Sequence, residues 1–274
     1  MTGLSLRSIF VAGALAGAAF ASSASAQSLN DKYWLEGQAF FPDINTTVSV
    51  SAKNQTVGTL IDLETDLKLD DHETLPAVYG GVRFGRFSLI GEYYALNRSG
   101  MTSIARDITF NDVVYPAGGT VSSTLDTDVY RAAIGYSFVR KDNLELGAAL
   151  GLHLTNFKIE LSGNGHVGSA ALQSEARRED ALAPLPTLGL FGTYEIVPRV
   201  QLGARVDYLS LKIGDYDGRL VNTQASLNFQ LFRNVGIGAM YRYVDYRLKV
   251  DKNLWLGELS YRFNGPAAFL RASF

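Results

Sequence analysis

Apolar and polar residues alternate with a period of two along most of the chain, the pattern of strands that offer one face to each of two environments. From Tyr33 the odd positions Tyr33, Leu35, Gly37, Ala39 and Phe41 are apolar or small, against Lys32, Glu36 and Gln38. Val78, Gly80, Val82 and Phe84 oppose Tyr79 and Arg83. The pair Gly85-Arg86 then turns the chain into Phe87, Leu89, Gly91 and Tyr93, opposed by Ser88, Glu92 and Tyr94. Tyr130, Ala132, Ile134, Tyr136 and Phe138 oppose Arg131. From Leu144 to Leu154, leucine or alanine at even positions alternates with Glu145, Gly147, Gly151 and His153, followed by Thr155. Four further strands follow the rule, at residues 188–196, 200–208, 221–231 and 235–243. Their polar sides carry Thr187, Thr193 and Glu195; then Gln201, Arg205 and Asp207; then Asn222, Gln224, Ser226, Asn228 and Gln230; then Arg242. The Asn/Gln face is too polar for a protein core. The apolar faces therefore look outward, into lipid.

Residues 255–274 supply a tenth strand, bent at Asn264-Gly265-Pro266, where a bulge is expected to switch the lipid-facing positions from odd to even. Hairpin folding about Asp251-Lys252-Asn253 sets Val235 opposite roughly residue 269 by the antiparallel pairing rule. Connections alternate in length. Gly85-Arg86 and residues 139–143, 197–199 and 232–234 are short, whereas 43–74, 99–124 and 158–183 are long and polar, with alternating stretches that predict strands continuing beyond the bilayer. The prolines at 42, 76, 116, 184, 186 and 198 fall at expected strand ends or in loops. Together these features predict an all-β fold: a transmembrane antiparallel up-and-down β-barrel of about ten strands, with short turns on one side and long loops on the other.

Composition fits that picture. Residues 1–26 hold one cation, Arg7, then an apolar run from Ile9 to Phe20 and the small-residue site Ala24-Ser25-Ala26. That is the pattern of a secretory signal peptide, which leaves residues 27–274 as the barrel domain. Without those residues the chain carries 24 Lys and Arg against 27 Asp and Glu, a net charge of −3, so no basic excess points to nucleic acid. The absence of Cys excludes a lipoprotein anchor and a disulfide framework. The 27 Gly and 14 Tyr suit a barrel, where Gly lets strands curve and Tyr sits at the headgroups.

The chain ends on an apolar period-two segment, with Ala268, Leu270, Ala272 and Phe274 on alternate positions. This ending resembles the terminal targeting strand of bacterial outer-membrane proteins, which carries a C-terminal Phe read by the barrel-assembly machinery. With the signal peptide and the loop asymmetry, the mature chain resembles Gram-negative outer-membrane β-barrel proteins over its whole length. The resemblance implies export, insertion by that machinery with Phe274 as the signal, and contact with outer-membrane lipid and lipopolysaccharide. A monomer is expected. A substrate is not implied, because one barrel architecture hosts many functions.

The predicted lumen holds both signs of charge: Arg83, Arg131, Arg205, Arg242 and Arg271 against Glu36, Glu92, Glu145, Glu195 and Asp207. In a narrow barrel such residues pair across strands as a plug; the rival reading is a narrow path for ions or small solutes. Pairing of Arg131, Arg205 and Arg242 with Glu92, Glu195 and Asp207 is expected. His153-Leu154-Thr155-Asn156 weakly resembles the His-x-Ser-Asn of outer-membrane lipid A 3-O-deacylases, with Thr155 in place of the nucleophilic Ser. The alternation points His153 into the lumen, so an interior structural His is preferred over a lipid-modifying hydrolase. The acidic run from Asp62 to Asp71 reads as a solvated loop, with a divalent-cation bridge to lipopolysaccharide as the alternative. Gly214-Asp215-Tyr216-Asp217-Gly218 reads as a hairpin tip. No catalytic, metal or cofactor site is assigned. The expected protein is non-enzymatic, either a passive conduit or a structural, surface-acting barrel.

Overall fold

The computed structural model describes residues 28–52, 59–110, 113–167, 170–251 and 255–274; the predicted signal peptide lies outside them, as does the 252–253 part of the expected last hairpin tip. A 3₁₀ turn, Ser28–Asn30, precedes the strands. In chain order these are β1 (Tyr33–Phe40), β2 (Asp43–Ala52), β3 (Ile61–Asp62), β4 (Leu75–Phe84), β5 (Phe87–Ser103), β6 (Ile108–Phe110), β7 (Val113–Tyr115), β8 (Thr120–Arg140) and β9 (Leu144–Val167). Then come β10 (Ala170–Val197), β11 (Val200–Ile213), β12 (Tyr216–Phe232), β13 (Val235–Asp251) and β14 (Trp255–Ser273), with one short helix, α1 (Leu63–Asp66), after β3.

Neighbours pair antiparallel in the order β1-β4-β5-β8-β9-β10-β11-β12-β13-β14, and β14 returns to β1. The ring closes from Trp34 opposite Ser273 to Phe40 opposite Ala267. Tyr33 and Phe274 exchange backbone hydrogen bonds at the rim, of 2.9 and 3.0 Å. Beyond Pro42, β2 continues along β14 from Asp43 opposite Asn264. Counting β1 and β2 as one, ten strands form the wall.

The outward face carries an apolar band. Ile134 is 57% exposed and Leu188 70%, as lipid-facing groups are when only protein surrounds them. A lower girdle of Tyr33, Phe84, Phe87, Tyr136, Phe138, Tyr194, Phe232 and Phe274 borders it. Tyr93, Tyr130, Tyr208 and Tyr241 form the upper one, with the Tyr93 and Tyr130 rings 4.9 Å apart. Tyrosine suits that level because its ring lies in apolar surroundings and its hydroxyl in headgroups.

Above the upper girdle the chemistry of the two faces exchanges while the parity stays fixed. On β13, Val244, Tyr246, Leu248 and Val250 are buried and Arg247, Lys249 and Asp251 are exposed. On β9, Phe157, Ile159 and Leu161 turn inward. The strands leave lipid there for water, so apolar groups gain by filling the lumen.

Four expectations are corrected. β14 runs without a bulge: its even positions face outward throughout, and Tyr261 and Phe263 are buried inside. Register is kept across Pro42 and Pro266 because both strands lose the ladder at the same place. Val235 pairs with Ala272, three residues beyond the expected partner. Pro184 and Pro186 lie within β10, opposite Leu154 and Leu152, where β10 pairs with β9 alone because β11 pairs with it only up to Leu188. An edge tolerates the missing N–H groups. The acidic run, finally, is solvated only at its end, where Asp70 and Asp71 are exposed. It folds as α1 and its flanks over the extracellular end, with Leu63, Leu67 and Leu69 buried against Ile104, Ile108 and Phe110. The turns at Gly85 (φ 62°) and Gly214 (φ 56°) fall where the sequence places them.

Candidate functional site: the charged lumen

The inward positions of adjacent strands stack into layers. At the periplasmic end Leu29 is tucked into the mouth, and Arg83 donates a 3.0 Å hydrogen bond to its carbonyl. Arg83 also pairs with Glu145 at 2.9 Å, which accepts from Ser137 Oγ at 2.5 Å. Arg271 pairs with Glu36 at 3.1 Å, and Gln38 donates to the same carboxylate. Both guanidiniums lie within 5.9 Å of the Trp34 ring. Above these pairs is a cavity of about 130 Å³.

The middle of the barrel holds the densest charge. Glu92 on β5 accepts from Arg242 on β13 at 2.5 Å and from Arg205 on β11 at 3.4 Å, reaching across the lumen. Asp207 on β11 takes Arg131 of β8 at 3.0 Å and Arg205 at 3.1 Å. Asn222 bridges, donating to Asp207 and accepting from Arg242 Nε. The Tyr79 and Tyr94 rings flank Arg205 and Arg242. Glu92, Arg131, Arg205, Asp207 and Arg242 therefore meet in one layer. Glu195 does not: it lies at the irregular end of β10 and accepts from the Arg199 amide in the turn. Its place near the strand end sets it one level too low. His153 is 3% exposed and directed into the lumen opposite Arg131, and its Nδ1 has no hydrogen-bond partner.

An apolar layer closes the lumen above the charges. Tyr94, Phe157, Tyr246, Tyr261 and Phe263 pack with centroids 5.1 to 6.3 Å apart. Between them and His153 remains space of about 10 Å³, near the lower limit for one water. Higher still, Glu64 of α1 pairs with Arg98 and accepts from the Thr46 amide at 2.7 Å. Arg98 also donates to Thr46 Oγ1 and the Asp70 carbonyl. Asp66 takes Arg106 at 2.6 Å, and Asp62 caps α1 through the Thr65 amide. Of the carboxylates expected to be solvated or to hold a cation, Asp62, Glu64 and Asp66 are thus engaged by protein groups while Asp70 and Asp71 are exposed, and no metal-binding group of three His, Cys, Asp or Glu occurs among the described residues. Sequence reasoning missed Arg98, although its even position on β5 is that of Glu92 and Tyr94. It also missed the inward aromatics, whose alternation carries no mark of which side is core.

No protein family matches the sequence, and no curated protein is similar to it. Among solved structures the fold is similar to the outer membrane protease OmpT of Escherichia coli, at 12% identity and TM-score 0.58, over 89% of this chain and 97% of that one. The toluene transporter TodX of Pseudomonas putida matches at 10% identity and TM-score 0.34, over 89% and 90% of the two chains. Ail, the attachment invasion locus protein of Yersinia pestis, matches at 12% and 0.31, over 87% and 99%. The fold is that of an outer-membrane β-barrel. Its apolar band between two aromatic girdles is the face of a membrane-spanning barrel, and the fold places it in the outer membrane of a Gram-negative cell. An identity of 12% speaks for fold alone.

Proposed function

We propose that this barrel is non-enzymatic and sealed, with a structural interior, and that it acts through its lipid-facing wall and extracellular rim. One observation carries this: the Glu92–Asp207–arginine layer crosses the lumen and an aromatic layer lies directly on it. A solute path would need continuous polar space, and the aromatic layer interrupts it. The hydrolase alternative built on His153 gains no support, because a lumenal His under that layer has no route to acyl chains. Planar-bilayer recording of purified protein tests the reading: no steady conductance is expected, and ohmic steps proportional to salt concentration overturn it.

The partners proposed are lipopolysaccharide and, during insertion, the assembly machinery. Support for the first lies just above the upper girdle. Arg219 and Arg247 oppose each other across β12 and β13, exposed outward, and Arg262 stands on β14. Asp245 binds both Arg247 and Arg262 at 3.2 Å. Like charges in direct opposition repel, and phosphates at headgroup level relieve that repulsion. Replacing Arg219 and Arg247 by Gln should weaken co-purification of lipopolysaccharide; unchanged retention removes this support.

A further inference from the structure

Three positive charges and two negative ones meet in the middle of the lumen. Among the described ion pairs, Arg131, Arg205 and Arg242 share Glu92 and Asp207 and no other carboxylate. The groups below do not correct the imbalance of this layer: Glu36 is engaged by Arg271 and Gln38, Glu145 by Arg83 and Ser137, and Asp31 lies outside the cavity lining, beside Arg271 and Arg83. One positive charge is left over where Arg131 is only 3% exposed. A buried ion without a counter-charge is strongly penalised.

The surplus faces open space. Arg131 donates through Nη2 to Asp207, while its Nε and Nη1 have no hydrogen-bond partner; Nε of Arg83 and of Arg271 are likewise unpartnered. These three arginines and Arg205 line the cavity of about 130 Å³. Its carboxylates are Glu36 and Glu145, both already engaged. Four guanidiniums thus wall a space that holds more than one water and offer N–H groups with nothing to accept them.

We propose that this cavity is an anion site that takes one small inorganic anion, chloride or phosphate in class, and completes the charge balance of the middle layer. The anion accepts from Arg131 and its neighbours, as an oxyanion or halide does wherever guanidinium donors converge. Leu29, its carbonyl held by Arg83, lines the site at its periplasmic end. The inference goes beyond the sealed-barrel reading and does not depend on it. A conducting barrel with this cavity still binds the ion, so each reading fails separately.

The test uses mature protein refolded in non-ionic detergent, with chloride or inorganic phosphate titrated against gluconate at fixed ionic strength. Above half-saturation the unfolding temperature should rise by about 3–5 °C per tenfold in anion concentration, from mass action and the usual entropy of unfolding. Gln224 lines the cavity and stands between Arg205 and Arg242 on the neighbouring strands. Gln224→Glu places a carboxylate of the same shape there, and should raise the unfolding temperature in gluconate and abolish the anion dependence. Gln224→Met removes the amide without adding charge and should keep the dependence. Equal unfolding temperatures of the wild type in every anion, or full dependence retained in Gln224→Glu, overturns the proposal.

Discussion

Glu92 illustrates what one residue does here. It holds two arginines from strands on the far side of the barrel, so neutralising it leaves Arg205 with Asp207 alone and Arg242 with no carboxylate among the described ion pairs. Glu92→Gln is expected to cost about 3–5 kcal/mol, the range for breaking a buried pair, whereas exposed Lys212→Ala should stay within about 0.5 kcal/mol. Urea unfolding in detergent measures both, and equal small effects would mean a wet, weakly paired lumen. Asp31, just below the lumen, behaves differently. Burial raises its pKa above the usual carboxylate value, against the opposing pull of Ser273, Arg271, Arg83 and Arg233. A raised folded-state pKa makes the contribution of Asp31 favourable below the unfolded value near 4, and that contribution is lost as pH rises through the folded pKa. Asp31→Asn should therefore remove this loss and stabilise the barrel at neutral pH; a pH series of unfolding midpoints shows whether the slope disappears. At this scale the signs of the lumen charges are legible in the alternation. The pairing of Arg131, Arg205 and Arg242 with Glu92 and Asp207 follows from those signs, but which arginine takes which carboxylate does not, because Glu92 and Arg242 lie 150 residues apart.

Among elements, β14 has two tasks: it lines β13 along its whole length and closes the ring on β1 and β2. Phe274 is 61% exposed and anchors the lower girdle. Its deletion removes at most about 2–3 kcal/mol of apolar burial, but an unclosed edge in lipid has no hydrogen-bond partners. Outer-membrane insertion should therefore fall far more than the stability of barrel refolded in detergent. Normal insertion would place the closing signal elsewhere in β14. Packing between elements rests on inward glycines covered by aromatic rings. A Cβ on Gly147 would lie 2.2 Å from the Phe191 ring, and one on Gly238 equally close to Phe269. Gly147→Ala is expected to destabilise by about 1–3 kcal/mol through overpacking, and Phe191→Leu in the same chain should recover part of it. The strands were legible because a period of two survives any pairing. The supposed bulge in β14 was not: Gly265-Pro266 interrupts the ladder opposite Phe41-Pro42, and two matched interruptions add no extra residue.

As a whole molecule the barrel is a stack of layers with opposite tastes: capped cavity, charge layer, aromatic layer, and a lid of α1 and its flanks. Arg98→Ala should loosen that lid without touching the wall, because it removes the anchor of Glu64 while β5 remains paired. Faster proteolysis between β2 and β4 with unchanged heat-modifiable migration would show this; an unchanged cleavage rate would mean the buried leucines alone hold the lid. The sequence by itself determined the all-β class, the strand count, the lipid-facing parity of the lower wall and the side on which the turns are short. Those depend on alternation and spacing, which are local. Only the tertiary structure decided that the upper lumen is apolar, that the acidic run folds inward onto Arg98 and Arg106, and that Glu195 stands outside the charge layer. Each depends on where the bilayer ends relative to the ring and on which residues the shear of the ring sets at one height, and alternation along a single strand carries neither.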